Sequence, residues 1–114
     1  MSKKRFERLA GAAIVFAAVG DPTRLALLQR LAQAGPASIS TLAEQFSITR
    51  QGVTKHLHVL ESADVLDAGR QGRERVYAIR AARLVQAQQW LEIIASGWDD
   101  ALGRLKAHVE RSAR

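Results

Sequence analysis

The stretch Ile48 to Leu60, ITRQGVTKHLHVL, carries two different faces at helical spacing. Val53, Leu57 and Leu60 recur at i, i+4 and i+7, which predicts the core face of a helix over residues 50–62. Gln51, Thr54, Lys55 and His58 recur at i, i+3, i+4 and i+7 on the side away from that stripe, with no carboxylate among them. The same reading along the chain predicts a first helix over residues 5–19, with Phe6, Leu9, Ala13 and Phe16 in helical register. Gly20 stops it. Asp21 is the expected N-cap of a second helix, with Pro22 at its first position and Leu25, Leu28 and Leu31 directed inward. Gly35-Pro36 ends that helix near Ala34.

Ser40 is the expected cap of a short third helix over residues 41–46, whose Leu42, Ala43 and Phe46 face the core. Thr41 with Glu44 three residues later offers a competing capping box, one residue further on. Ser47-Ile48-Thr49 is a tight connection, and Thr49 is the expected N-cap of the helix at 50–62. Two short helices joined by three residues form a helix-turn-helix candidate.

Beyond Ala63-Asp64 the period changes. VLDAG and ERVYAI read as two short strands around Gln71-Gly72-Arg73, a hairpin. Leu84 to Arg111 then predicts one long helix. Leu84, Ala87, Leu91, Ile94, Trp98, Leu102, Leu105 and Val109 follow three–four spacing, and Trp90, Ile93 and Ala101 broaden the stripe. The expected fold is mainly α with a small β-hairpin: four helices, two strands and a helix, the layout of a winged helix-turn-helix. Neither an internal repeat nor a linker divides it, so residues 1–114 read as one domain. Within it the helix-turn-helix lies at 40–62, the wing at 65–80, and two terminal helices at 5–19 and 84–111.

The last helix offers more apolar surface than so small a domain covers easily. The first helix is apolar on more than one side. Together they read as a homodimer interface built from Phe6, Leu9, Ala13, Phe16, Leu91, Ile94, Trp98, Leu102 and Leu105.

Composition narrows the partner. A chain of 114 residues, 47% hydrophobic, buries a core, and aliphatic groups must dominate it because aromatics make up only 5%. A net charge of +6 favours polyanions, either nucleic acid or an anionic membrane. The basic start followed by the apolar run Ala12–Val19 has the layout of a signal peptide, but the run is too short to span a bilayer. Glu7 within the basic segment, and Asp21-Pro22-Thr23 leading directly into another amphipathic helix, favour a helix packed against a second copy. Absence of cysteine excludes disulfides, thiolate metal sites and thiol redox sensing, and suits a cytoplasmic protein.

The face of the 50–62 helix fits the DNA major groove, which admits one helix and presents donors and acceptors on base edges. Carboxylates there would meet phosphate repulsion. Gln51 suits bidentate pairing with adenine, and Arg50 with guanine or phosphate. Lys55 suits a phosphate, Thr54 either role, and His58 the backbone a turn further on, with Thr49 at the helix start. His56 points off this face, where a packed histidine bonded to a neighbouring backbone group is at least as good a reading as a DNA contact. Gly52 costs a helix ~1 kcal/mol relative to alanine. It reads either as room for a close sugar-phosphate strand or as a tolerated defect. Arg70, Arg73 and Arg75 sit at or near the hairpin tip, placed for phosphates or the minor groove, with Glu74 the nearby carboxylate available to pair with one of them.

Metal chemistry has little support. His56 and His58 diverge on one helix, and Asp100 to His108 spans two turns, so no metal or other cofactor is expected. No phosphate loop, nucleophile elbow or acid/base pair suggests an enzyme.

GDPTRLALLQRLA, ISTLAEQFSITRQGVTKHLHVLESADVL, GRERVYAI and WLEIIASGWDDALGRLKAHVE together resemble the ArsR-type (ArsR/SmtB) winged helix repressors. The match is to a cysteine-free branch whose last helix carries two tryptophans. The resemblance implies a homodimeric transcriptional repressor of double-stranded DNA that binds an imperfect palindrome near its own promoter, with contacts from Arg50, Gln51, Thr54, Lys55 and the wing arginines. Two departures accompany it. The cysteine pairs and histidine pairs of the metal sensors are missing, so metal sensing is not implied. Asp64 stands where the family usually has glycine, and aspartate adopts the left-handed conformation at some cost. Two other readings stay open: a sensor gated by a small-molecule effector, with its pocket between the terminal helices near Trp90 and Trp98, and a protein-interaction module that keeps the fold.

Overall fold

A computed structural model describes residues 2–113. The elements run α1 (Lys3–Val19), α2 (Pro22–Ala34), β1 (Ala37–Ser38), α3 (Ile39–Phe46), α4 (Arg50–Ser62), β2 (Leu66–Gln71), β3 (Glu74–Ile79) and α5 (Ala81–Ser112). This is the expected order with one addition, the two-residue strand β1. It makes the wing a three-stranded antiparallel sheet in the order β1-β3-β2.

Local chemistry explains the boundaries. The Ser2 hydroxyl accepts from the Arg5 N–H and starts α1 two residues before the expected point. Asp21 caps α2 by accepting from the Arg24 N–H at 3.0 Å, with Pro22 at the first helical position as expected. Gly35 at φ 84° ends α2.

Three sequence expectations need correction here. Ser38, not Ser40 or Thr41, caps α3: its Oγ accepts from the Thr41 N–H at 3.1 Å, so the helix starts at Ile39. Ser38 is already fixed by pairing opposite Val76, which carries the chain straight from strand into helix. Leu25 is 53% exposed, whereas Leu27 is fully buried. Leu27, Leu28 and Leu31 form the inward stripe, and Leu25 lies about 200° round the helix from Leu27. On α1 the buried residues are Ala12, Val15 and Ala18. Phe6 and Ala13 are exposed and Leu9 is half-buried, while Phe16 is half-buried against the core, so only part of the expected stripe lies on the outer side.

The core gathers Val15, Leu27, Leu31, Ala37, Leu42, Val53, Leu57, Leu60, Val65, Leu66 and Tyr77, with Ala87 from α5, so every element contributes. Hydrogen-bonding demand is met: among the described residues no buried side-chain nitrogen or oxygen lacks a partner. α5 has 32 residues, about 48 Å of helix, and residues 91–100 are all exposed. The helix runs past the body and gives the chain extents of 71 × 33 × 20 Å.

Candidate nucleic-acid interface

The turn between α3 and α4 is held by the backbone. Ser47 takes the left-handed conformation, φ 52°, and its N–H donates to the Glu44 carbonyl at 3.4 Å. The Ile48 N–H donates to the Ala43 carbonyl at 3.2 Å. Thr49 is then extended, and its Oγ1 accepts from the Gly52 N–H at 3.0 Å, the N-cap expected from the sequence. A Cβ at position 52 would stand 2.8 Å from Ile48 Cγ2 and 3.2 Å from Thr49 Oγ1. Glycine therefore serves the tightness of this turn, a reason local to the fold that neither sequence reading had supplied.

Val53, Leu57 and Leu60 are fully buried and lock α4 against the core. The opposite flank is open: Arg50, Gln51, Thr54, Lys55 and His58 are all exposed, as is Thr49 at the cap. Thr54 donates its hydroxyl proton to the Arg50 carbonyl at 2.7 Å. Its oxygen remains free only as an acceptor. His56 leaves this flank. It is half-buried, with Nδ1 4.0 Å from Asp21 Oδ2, so its neighbour is a carboxylate rather than a backbone group. The Asp21 carboxyl is held below its ordinary value chiefly by the Arg24 N–H; burial opposes this next most strongly, and the charges of Arg24 and His56 add smaller downward pulls.

The wing places its cations unequally. Gln71 pairs with Glu74 around a two-residue turn, Gly72-Arg73, in which Gly72 takes φ 65°. Arg70 and Arg75 sit directly opposite each other one pair back, an arrangement that like charges disfavour. Arg75 is relieved by an outside partner: its Nη2 donates to Glu61 on α4 at 3.1 and 3.4 Å. Its guanidinium also stands 5.6 Å from the centre of the buried Tyr77 ring. Burial pushes the Tyr77 phenol up from its ordinary value, partly opposed by the charge of Arg75. Glu61, not Glu74, thus takes the wing arginine. Arg70 and Arg73 make no ion pair among the described residues.

Sequence reasoning missed two features that hold this surface in shape. The first is the Glu61–Arg75 bridge, whose partners are 14 residues apart with no local pattern to announce them. The second is the base of the hairpin, where Arg80 binds Asp67 and approaches Asp64 at 3.6 Å. That hydrogen bond holds the Asp67 carboxyl below its ordinary value. Asp64 takes φ 62°, so aspartate does fill the left-handed position of the helix-to-wing turn.

Arg50, Arg73 and Arg75 line one hollow of about 190 Å³, together with Glu74 and with Ser38, Ile39 and Ser40 at the start of α3. The first turn of α4 and the wing tip therefore face a common space in which cations outnumber carboxylates, which suits the backbone of a polyanion. Among the described residues no group of three or more His, Asp or Glu side chains gathers as metal ligands do. Among them no single helix is long and apolar enough to cross a membrane; α1 and α2 reach that mark only together, bent by 96°.

Residues 19–67 match a family model described as a helix-turn-helix domain. The chain is 32% identical over 87 residues to the transcriptional repressor SdpR of Bacillus subtilis, covering 75% of this chain and 96% of that protein. It superimposes on an ArsR-like transcriptional regulator from Rhodococcus with a TM-score of 0.73 and 36% identity, covering 86% of this chain and 92% of that one. At 23% identity, a winged helix-turn-helix domain from Mycobacterium bovis, described as homodimeric and DNA-binding, shares the fold with a TM-score of 0.68 over 84% of this chain and 88% of that one. Sequence and fold thus agree, over most of the length of each relative, with the surface built on α4 and the wing: the chain belongs to the ArsR family of winged helix-turn-helix transcriptional regulators.

Proposed function

We propose that the chain is a homodimeric repressor that reads an imperfect DNA palindrome, acts in the cytoplasm and performs no catalysis. The observation that carries this reading is the division of α4: three aliphatic side chains fully buried, and five polar or cationic ones exposed on the opposite flank. In this reading Gln51 and Arg50 contact base edges. Thr54 accepts from a base or sits against a thymine methyl. Thr49, Lys55 and His58 lie along phosphates, and Arg70 and Arg73 extend the grip to the neighbouring strand. Arg75, engaged with Glu61, positions the wing.

The dimer interface proposed is formed by α1, with Phe6, Leu9, Ala13 and the uncovered part of Phe16, and by the distal stripe of α5, with Leu91, Ile94, Trp98, Leu102 and Leu105. The α5 stripe supports it, because all five of those side chains are exposed in the single chain. Large contiguous apolar surface of this kind marks an interaction site. Two-fold symmetry then sets the reading helices about one DNA turn, ~34 Å, apart.

The test is footprinting on the DNA upstream of the coding region, followed by gel-shift titration of two variants. Gln51→Ala relaxes discrimination at one base position by ~1–3 kcal/mol. Arg73→Ala weakens operator and random DNA alike. Wild-type binding by both variants on both DNAs refutes the assignment.

A further inference from the structure

A cavity of about 460 Å³ lies between α1, from Lys4 to Val15, and the first turns of α5. We infer that it binds a small amphipathic carboxylic acid and that occupancy weakens operator binding; the second part rests on the repressor function proposed above. The volume lies within the range of small-molecule sites. Ala12, Val15 and Ala87 are buried at its floor, and the half-buried indole of Trp90 lines it alongside. That combination takes an aromatic ring or a short alkyl chain.

The charged lining is unbalanced. Lys4, Arg8 and Arg83 contribute three cations against one carboxylate, Glu7. Lys4 and Arg8 are four residues apart on α1, a spacing at which like charges repel, so an anion between them removes a local penalty. None of the three cations makes an ion pair among the described residues. A single carboxylate on an apolar body answers both halves of the lining.

Arg83 supplies the connection to DNA reading. Its Nε donates at 3.4 Å to the carbonyl of Ala63, the residue that ends α4. The bond is long and its acceptor is neutral. A carboxylate in the cavity offers the same guanidinium a shorter, charge-assisted bond. Drawing Arg83 toward the ligand frees the end of the recognition helix, next to the Asp64 turn that leads into the wing.

The experiment uses the full chain with Trp98→Phe, so that Trp90 alone reports, titrated without DNA with phenylacetate and with octanoate. Each acid is compared with its uncharged amide. Saturable change in Trp90 emission with at least one acid and not its amide is expected. K4Q/R8Q, folded by circular dichroism, should bind that acid about tenfold more weakly, as loss of charge-assisted bonds implies. Arg83→Lys keeps the charge but not the Nε bond. It should still bind the acid, while the acid no longer weakens its operator complex in gel shifts as it weakens the wild-type complex.

No saturable change with either acid, an equal response to acid and amide, or unaltered binding by K4Q/R8Q overturns the site. An acid that binds but leaves the wild-type operator complex unchanged, or that weakens the Arg83→Lys complex equally, overturns the coupling. Failure of the wild-type chain to bind operator at all is a failure of the repressor function, and the titration without DNA distinguishes it.

Discussion

Arg75 of the wing donates to both carboxylate oxygens of Glu61 near the end of α4. One ion pair therefore ties together the two elements proposed to touch DNA. Both side chains are substantially exposed, so the bridge contributes at most ~1 kcal/mol to stability. Its larger effect is on orientation. Glu61→Gln should leave the urea midpoint nearly unchanged and yet weaken operator and random DNA together, because it frees a wing that carries phosphate contacts. A loss confined to operator, measured by gel shift, would instead place Glu61 in base reading.

Gly52→Ala tests the turn. In an ordinary helix interior the change stabilises by up to ~1 kcal/mol. Here the new methyl would meet Ile48 Cγ2 at 2.8 Å, so the sign reverses and the denaturation midpoint falls. Ile48→Ala removes the obstructing methyl. In the double variant the penalty of Gly52→Ala should shrink or vanish, which a double-mutant cycle by urea denaturation measures directly.

Acid sensitivity follows from two carboxylates. Asp21 and Asp67 both titrate below the ordinary value of 3.8 in the folded chain, Asp21 chiefly through the Arg24 N–H and Asp67 through Arg80. A carboxyl lowered on folding contributes stability that is fully present above its unfolded value and is lost as pH falls through the folded one. Thermal melts should therefore decline as pH drops below about 4. Asp67→Asn should flatten that decline, and should lower the midpoint near neutrality, where its contribution is complete.

The proposed interface predicts a change of assembly without a change of fold. Ile94 is 59% exposed in the single chain. Ile94→Asp should leave the helical circular dichroism spectrum intact and weaken self-association about hundredfold or more, since two-fold symmetry removes the apolar contact twice. Sedimentation velocity reads the result. An unchanged sedimentation coefficient at micromolar concentration would exclude this stripe from the interface.

Periodicity and capping made most of this architecture readable in advance. The boundaries of α4 matched because Thr49, the Val53–Leu57–Leu60 stripe and Asp64 each act locally. Leu25 misled because three leucines at i, i+3 and i+6 satisfy a helical template as well as Leu27, Leu28 and Leu31 do, and only the packed core separates them. β1 was hidden because two residues carry no alternation, and its existence depends on β3 lying alongside. The polar flank of α4 was legible for the same local reason as its stripe. The Glu61–Arg75 bridge, the Asp21–His56 contact and the α1–α5 cavity join residues remote in sequence, and spacing rules do not reach them.

β1 is short, but its placement has a mechanical result. Ala37 pairs opposite Tyr77 and Ser38 opposite Val76, and Ser38 then opens α3. The hairpin is thus stitched, through its central strand, to the start of α3. A tug on the wing therefore reaches the front of the helix-turn-helix through backbone hydrogen bonds, whether or not the Glu61–Arg75 bridge is in place.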